Sequence, residues 1–226
     1  MDLTEIEFEG QFASCIKDYF EYVKPRKILE TGLYHGMGST RIIATLIRDI
    51  PIKGANFYSI ECSVGNINIA KENLRLANLL SHVSIVSGLS IPKDLLPTKE
   101  EIEKKIAFTA LFPQVKLDHE QDPKNGANYY QKETESYERD DRMGDVLALF
   151  NGKPDFVLLD SGGHIGKIEF EYLIGNLEAP CTIALDDTRH VKHFESSEMI
   201  KKDPRFTVLV ENQEKFGSML VKFTPK

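Results

Sequence analysis

KILETGLYHGMGSTRIIATLI, residues 27–47, runs from a short apolar stretch through a glycine-rich turn into a second apolar stretch of different period. Ile28 and Leu29 read as a buried strand, while Ile42, Ile43, Leu46 and Ile47 recur at the spacing of one helix face. Between them lie Glu30, Gly32, Gly36 and Gly38. Strand, glycine turn and helix in this order open an α/β sheet, and ligands of such sheets sit beyond the carboxyl ends of the strands. A dinucleotide site would carry GxGxxG and rest a pyrophosphate on the helix N-terminus. Here Glu30 precedes the first glycine and Tyr34 stands where a second would fall. A carboxylate at that point repels a pyrophosphate and favours a cation.

Working outward, the alternation continues. Upstream, Phe12, Cys15, Ile16, Tyr19, Phe20 and Val23 follow Phe8 at helical spacing before Pro25, which predicts a covering helix within residues 1–24. Downstream come ANFYSIE (55–61) as a strand, residues 63–80 as a helix with Ser63 as N-cap, and VSIVSG (83–88) as a strand. PDFVLLD (154–160), IEFEYLIGNL (168–177) and CTIALDD (181–187) repeat strand, helix, strand. RFTVLVEN and GSMLVKFT are separated by only QEKF, too short for a crossover helix, so they are expected to form an antiparallel hairpin. The expectation is an α/β fold: one domain over residues 1–226, with a doubly wound, mostly parallel seven-stranded sheet ending in that hairpin. A charged excursion over residues 97–145 interrupts the pattern; AFTALF and ANYY give it apolar anchors, and a partly ordered cap is expected there.

Composition excludes several functions. A net charge of −7 over 226 residues gives no basic footprint for nucleic acid. No apolar run is long enough to span a bilayer, and the acidic start MDLTEIEFEG has no signal-like apolar core. Cys15, Cys62 and Cys181 are few and odd in number, as expected of buried thiols in a reducing compartment. A cytoplasmic protein is expected, with no membrane or nucleic-acid partner.

The turn resembles motif I of the class I S-adenosylmethionine-dependent methyltransferases, E/D-x-G-x-x-x-G, which holds the methionine end of the cofactor. Its matching residues are Glu30, Gly32 and Gly36, with Tyr34 inside the turn and Gly38, Ser39 and Thr40 after it. The resemblance extends to Glu61, ending the second strand with Cys62 beside it, as the acceptor of the ribose hydroxyls. A carboxylate suits that role because it accepts from both vicinal hydroxyls. Gly88, Leu89 and Ser90 match the turn that flanks the adenine. The terminal hairpin is also a feature of this Rossmann-like methyltransferase fold.

A second group of residues resembles the cation-dependent O-methyltransferases: Asp160 after the fourth strand, and Asp186 with Asp187 after the fifth. By that resemblance the three acids ligate Mg²⁺ or another divalent cation, which takes carboxylate oxygens. Asp160, His164 and His190 are the candidate catalytic residues, with a histidine as general base; His193 and His35 are further histidines near the two motifs. Other roles stay open: Asp160 as a partner of the cofactor's amino group without metal, and one of the Asp186 pair as a helix cap. The implied activity is S-adenosylmethionine-dependent methylation of a hydroxyl on a small molecule such as a sugar, phenol or natural product, with or without metal. The alternatives are a non-catalytic S-adenosylmethionine-binding or assembly protein and an NAD-dependent oxidoreductase. The cap and the N-terminal helix are expected to wall the acceptor pocket, and the cap is also the expected surface for any pairing of subunits.

Overall fold

The computed structural model describes residues 10–50, 52–117, 121–135, 139–162 and 164–226. Seven strands form one sheet: β1 (Lys27–Thr31), β2 (Asn56–Glu61), β3 (Ser84–Ser87), β4 (Phe156–Leu159), β5 (Cys181–Asp186), β6 (Phe206–Asn212) and β7 (Ser218–Phe223). Their spatial order is β3-β2-β1-β4-β5-β7-β6. β1 to β5 are parallel, and β7 runs antiparallel to both β5 and β6. The expected doubly wound sheet with a terminal hairpin is therefore the observed one.

Alternate residues of the central strands feed two cores, as the period of a strand requires. On one face Ile28, Phe57, Phe156 and Leu158 pack under α1 (Gln11–Val23), α2 (Ser39–Asp49) and α3 (Val64–Leu76). On the other, Leu29, Val157, Leu159 and Ile183 meet α6 (Arg142–Leu149), α7 (Gly166–Gly175) and α8 (Phe194–Lys202). All four residues of β4 are buried, because helices cover both of its faces. Each such side chain contributes about 1.5–3 kcal/mol relative to exposure. α1 is fixed by Phe20 edge-on to Phe156 at 5.2 Å and by the Tyr19 hydroxyl, which donates to Thr182 Oγ1 at 2.9 Å. Phe8, expected to open this helix, lies outside the described residues. Ser63 caps α3 as expected, its Oγ accepting from the Asn66 N–H.

Two helices are described within the excursion. α4 (Lys99–Thr109) starts at a Thr98–Glu101 capping box, and α5 (Pro123–Thr134) starts at Asp122. Ile102, Ile106, Ala127 and Tyr130 join Ile165 and Val191 in a third apolar cluster that seats the cap on the loops after β4 and β5. α6 packs beneath the sheet, so the boundary expected at residue 145 falls inside a helix of the main body. The thiols also differ from expectation: all three are free, but only Cys181 is buried, while Cys15 and Cys62 are partly exposed.

Candidate active site

Strand order reverses between β1 and β4, and the crevice above that point is where an open α/β sheet receives its ligand. Gly32 has φ +90°, and a Cβ there would lie 2.3 Å from the Asp160 carbonyl oxygen. The first turn can approach the end of β4 only because this residue is glycine. Gly36 serves a different purpose: its φ is +73°, and a Cβ would press on Ala70 at 3.1 Å and on Leu74. It lets the turn pack on α3 and does not line the crevice.

Glu30 requires the larger correction. It is fully buried and points beneath the turn rather than into the cavity. Its Oε2 accepts from Thr40 Oγ1 at 2.5 Å and Ser59 Oγ at 2.6 Å. Burial pushes its carboxyl up to about 7, against the pull of hydroxyls from Ser39, Ser59 and Thr40 and with a further push from the Asp160 charge. Glu30 ties β1, β2 and the start of α2 together; it does not set the charge of the ligand space.

Glu61 does face that space. Its Oε2 accepts the Tyr34 N–H and its Oε1 the Ser63 N–H, each at 2.8 Å, which fixes the carboxylate while leaving lone pairs for further donors. Gly32, Tyr34, Ser39, Cys62, Gly88, Leu89 and Ser90 share the wall of one cavity of about 440 Å³ with Glu61, within the range of small-molecule sites, roughly 300–1,000 Å³. Ser90 donates to buried Glu169 on α7, which also accepts from Ser161 Oγ at 2.8 Å and Thr31 Oγ1 at 3.3 Å. Glu169 thus braces three strand ends from below. Over the cavity, Tyr129 of α5 donates to Glu133 Oε1 at 2.7 Å. Burial raises the Glu133 carboxyl, against the pull of the Tyr129 hydroxyl, and the charge of Glu61 adds to that rise.

Asp160, Asp186, Asp187, His164 and His190 line the opposite end of the same cavity. The three acids offer oxygens within 4.8 Å of one another. His164 and His190 are buried with ring centroids 5.7 Å apart, and His190 stands edge-on to Phe216 of the hairpin loop. His190 Nδ1 accepts the Lys192 N–H at 3.3 Å, so the proton of its neutral ring belongs on Nε2. Tyr34, His164 and Asp187, with φ of 47°, 64° and 60°, are held in left-handed conformations that cost non-glycine residues energy. His193 lies outside the cavity wall, its Nδ1 3.3 Å from Ser196 Oγ. It is the residue preceding α8, so neither Asp186 nor Asp187 caps that helix.

No family model matches the chain, and no curated protein matches it in sequence. Solved structures match it in three dimensions. An O-methyltransferase from Bacillus cereus in complex with SAH aligns with TM-score 0.58 and 16% identity over 98% of this chain and 84% of its own. The O-methyltransferase TomG from Streptomyces achromogenes, involved in tomaymycin synthesis and in complex with SAM, gives 0.55 and 12% over 100% and 84%. SAH-bound methyltransferase PaMTH1 from Podospora anserina gives 0.53 and 15% over 94% and 77%. The fold is that of the class I methyltransferases.

Within this methyltransferase fold, Lys192 is the residue that sequence reading missed. Its Nζ lies 2.6 Å from Asp160 Oδ1 and 2.6 Å from Asp187 Oδ2. Burial alone would lower the lysine, but Asp160, Asp187 and Asp186 together raise it, so it stays an ammonium. Asp186 is pushed well up by burial and by the charges of Asp187 and Asp160. A divalent ion holding the same oxygens at about 2.0–2.6 Å would have to occupy the place of that ammonium, so the acids as arranged do not fit one. Sequence offered one weak sign: Lys192 sits between Val191 and His193, shortly after two aspartates. The short hairpin loop also contributes, since Glu214, Lys215 and Phe216 wall the cavity.

Proposed function

We propose that this protein is an S-adenosylmethionine-dependent methyltransferase that acts on a hydroxyl of a small molecule. The observation that carries this reading is a single cavity, walled in part by α5, that joins Glu61, fixed by two backbone N–H groups, to the Asp160, His164 and His190 cluster. Glu61 would accept from the ribose hydroxyls, the Gly32 turn and Ser39 would face the methionine end, and Cys62 and Leu89 would flank the base. The bound cofactor supplies an electrophilic methyl group. The protein's own contribution is to position the acceptor, exclude water beneath α5 and remove one proton. His190, carrying its proton on Nε2, would orient the acceptor oxygen as a donor, and His164 would take the hydroxyl proton. No observation favours the binding-protein or NAD-dependent alternatives, and the first turn lacks the GxGxxG that would seat a pyrophosphate.

Titration calorimetry with S-adenosylhomocysteine, with NAD as control, tests the reading. Binding of the first alone, weakened in Glu61→Ala, is the expected result. Absence of binding in folded protein would reduce the likeness to one of fold.

A further inference from the structure

We propose that Lys192 is a built-in cation that takes the place of a divalent metal, and that the protein therefore methylates acceptors presenting a single hydroxyl without any metal. What the ammonium serves rests on the methyltransferase reading; where it sits does not. Nζ bridges Asp160 and Asp187 at 2.6 Å each, and the lysine side chain is only 8% exposed. The residue is held in register by Val191, locked into the apolar cluster under the cap, and by buried His193. An ammonium has three donors. Two are spent on Asp160 and Asp187, leaving the third for a ligand oxygen in the cavity that Lys192 helps to wall.

A lysine differs from Mg²⁺ in ways that define the acceptor. It carries one charge rather than two and donates hydrogen bonds rather than accepting lone pairs into a coordination sphere. It cannot chelate two adjacent oxygens, so a vicinal diol gains nothing over a lone hydroxyl. In the transfer, the acceptor's O–H bond breaks and its proton passes to His164. The new O–C bond forms as the S–C bond breaks, so the positive charge leaves sulfur and ends on the imidazolium. Lys192 holds the oxygen while negative charge develops on it, as a preformed donor.

The test is Mn²⁺ titration followed by electron paramagnetic resonance on wild type, Lys192→Met and Lys192→Ala, with no cofactor present. Wild type is expected to leave Mn²⁺ free into the millimolar range. Either folded variant is expected to bind it at least ~10-fold more tightly, because three acids then lack their cation. Tight binding by wild type that Asp187→Asn abolishes would overturn the proposal, as would a folded variant that gains no Mn²⁺. Should neither variant fold, the wild-type titration decides alone. Calorimetry with S-adenosylhomocysteine in the presence of chelator reports separately on the methyltransferase reading, so its failure leaves the Mn²⁺ result standing. Once an acceptor is found, chelator-insensitive turnover and no preference for a vicinal diol are the expected results.

Discussion

The two ends of the cavity handle negative charge in opposite ways. At the β2 end, Glu61 accepts from two backbone N–H groups and from the Cys62 thiol, all neutral donors, and faces the cavity. At the β4 and β5 ends, Asp160 and Asp187 are already bridged by Lys192. A carboxylate held by neutral donors can still receive hydroxyls, whereas carboxylates holding an ammonium are part of a fixed charge array. On the proposed function, the β2 end recognises the cofactor, and the β4–β5 end is preorganised.

The largest effect should come from breaking the second arrangement. Lys192→Ala removes a buried ammonium and leaves part-buried acids uncompensated, and is expected to cost about 3–5 kcal/mol in chemical unfolding at neutral pH. A loss under ~1 kcal/mol would mean that the array is as solvated as a surface pair.

Glu30 provides the next test, because it lies beneath the open end and takes no part in it. Its carboxyl normally titrates at 4.5 and is raised to about 7 in the folded protein. Between those values the folded state binds more protons, so stability falls as pH rises from 4.5 to about 7 and stays low above that. Glu30→Gln should flatten this slope and gain up to about 3 kcal/mol at pH 8 while matching wild type near pH 4. A pH-independent difference between the two would place the carboxyl in contact with solvent.

At the open end, Glu61→Ala is expected to weaken S-adenosylhomocysteine by about 2–3 kcal/mol, the worth of hydrogen bonds to a charged acceptor, with little change in unfolding. Equal affinity would remove the ribose role from Glu61.

These two carboxylates also show what the sequence could reveal. Glu61 ends β2, Glu30 is the last but one residue of the adjacent β1, and both follow an apolar run, so the periodicity that located the strands gave them the same standing. Yet Glu61 faces the cavity and Glu30 does not. The distinction depends on hydroxyls from Ser59 and Thr40, on a different strand and helix, which no local pattern announces. The sheet, the hairpin and the glycine turn were legible because each follows from spacing within a few residues. The Lys192 array was not, since its partners lie 5 and 32 positions away and meet only once β4 and β5 are side by side. Glu169 escaped for the same reason: its partners Thr31, Ser90 and Ser161 come from three loops and strand ends.

The smallest effect should separate the cap from the recognition it covers. Tyr129 is about half exposed, and its hydroxyl is spent on Glu133 of its own helix. Tyr129→Phe therefore removes one hydrogen bond within the cap and keeps the ring over the cavity. Such a bond contributes roughly 0.5–1.5 kcal/mol net, and most of that belongs to α5 rather than to the ligand, so calorimetry should find S-adenosylhomocysteine affinity within about threefold of wild type. A loss comparable to that of Glu61→Ala would show that the hydroxyl reaches the ligand itself, and the cap would then be part of the recognising end rather than a cover over it.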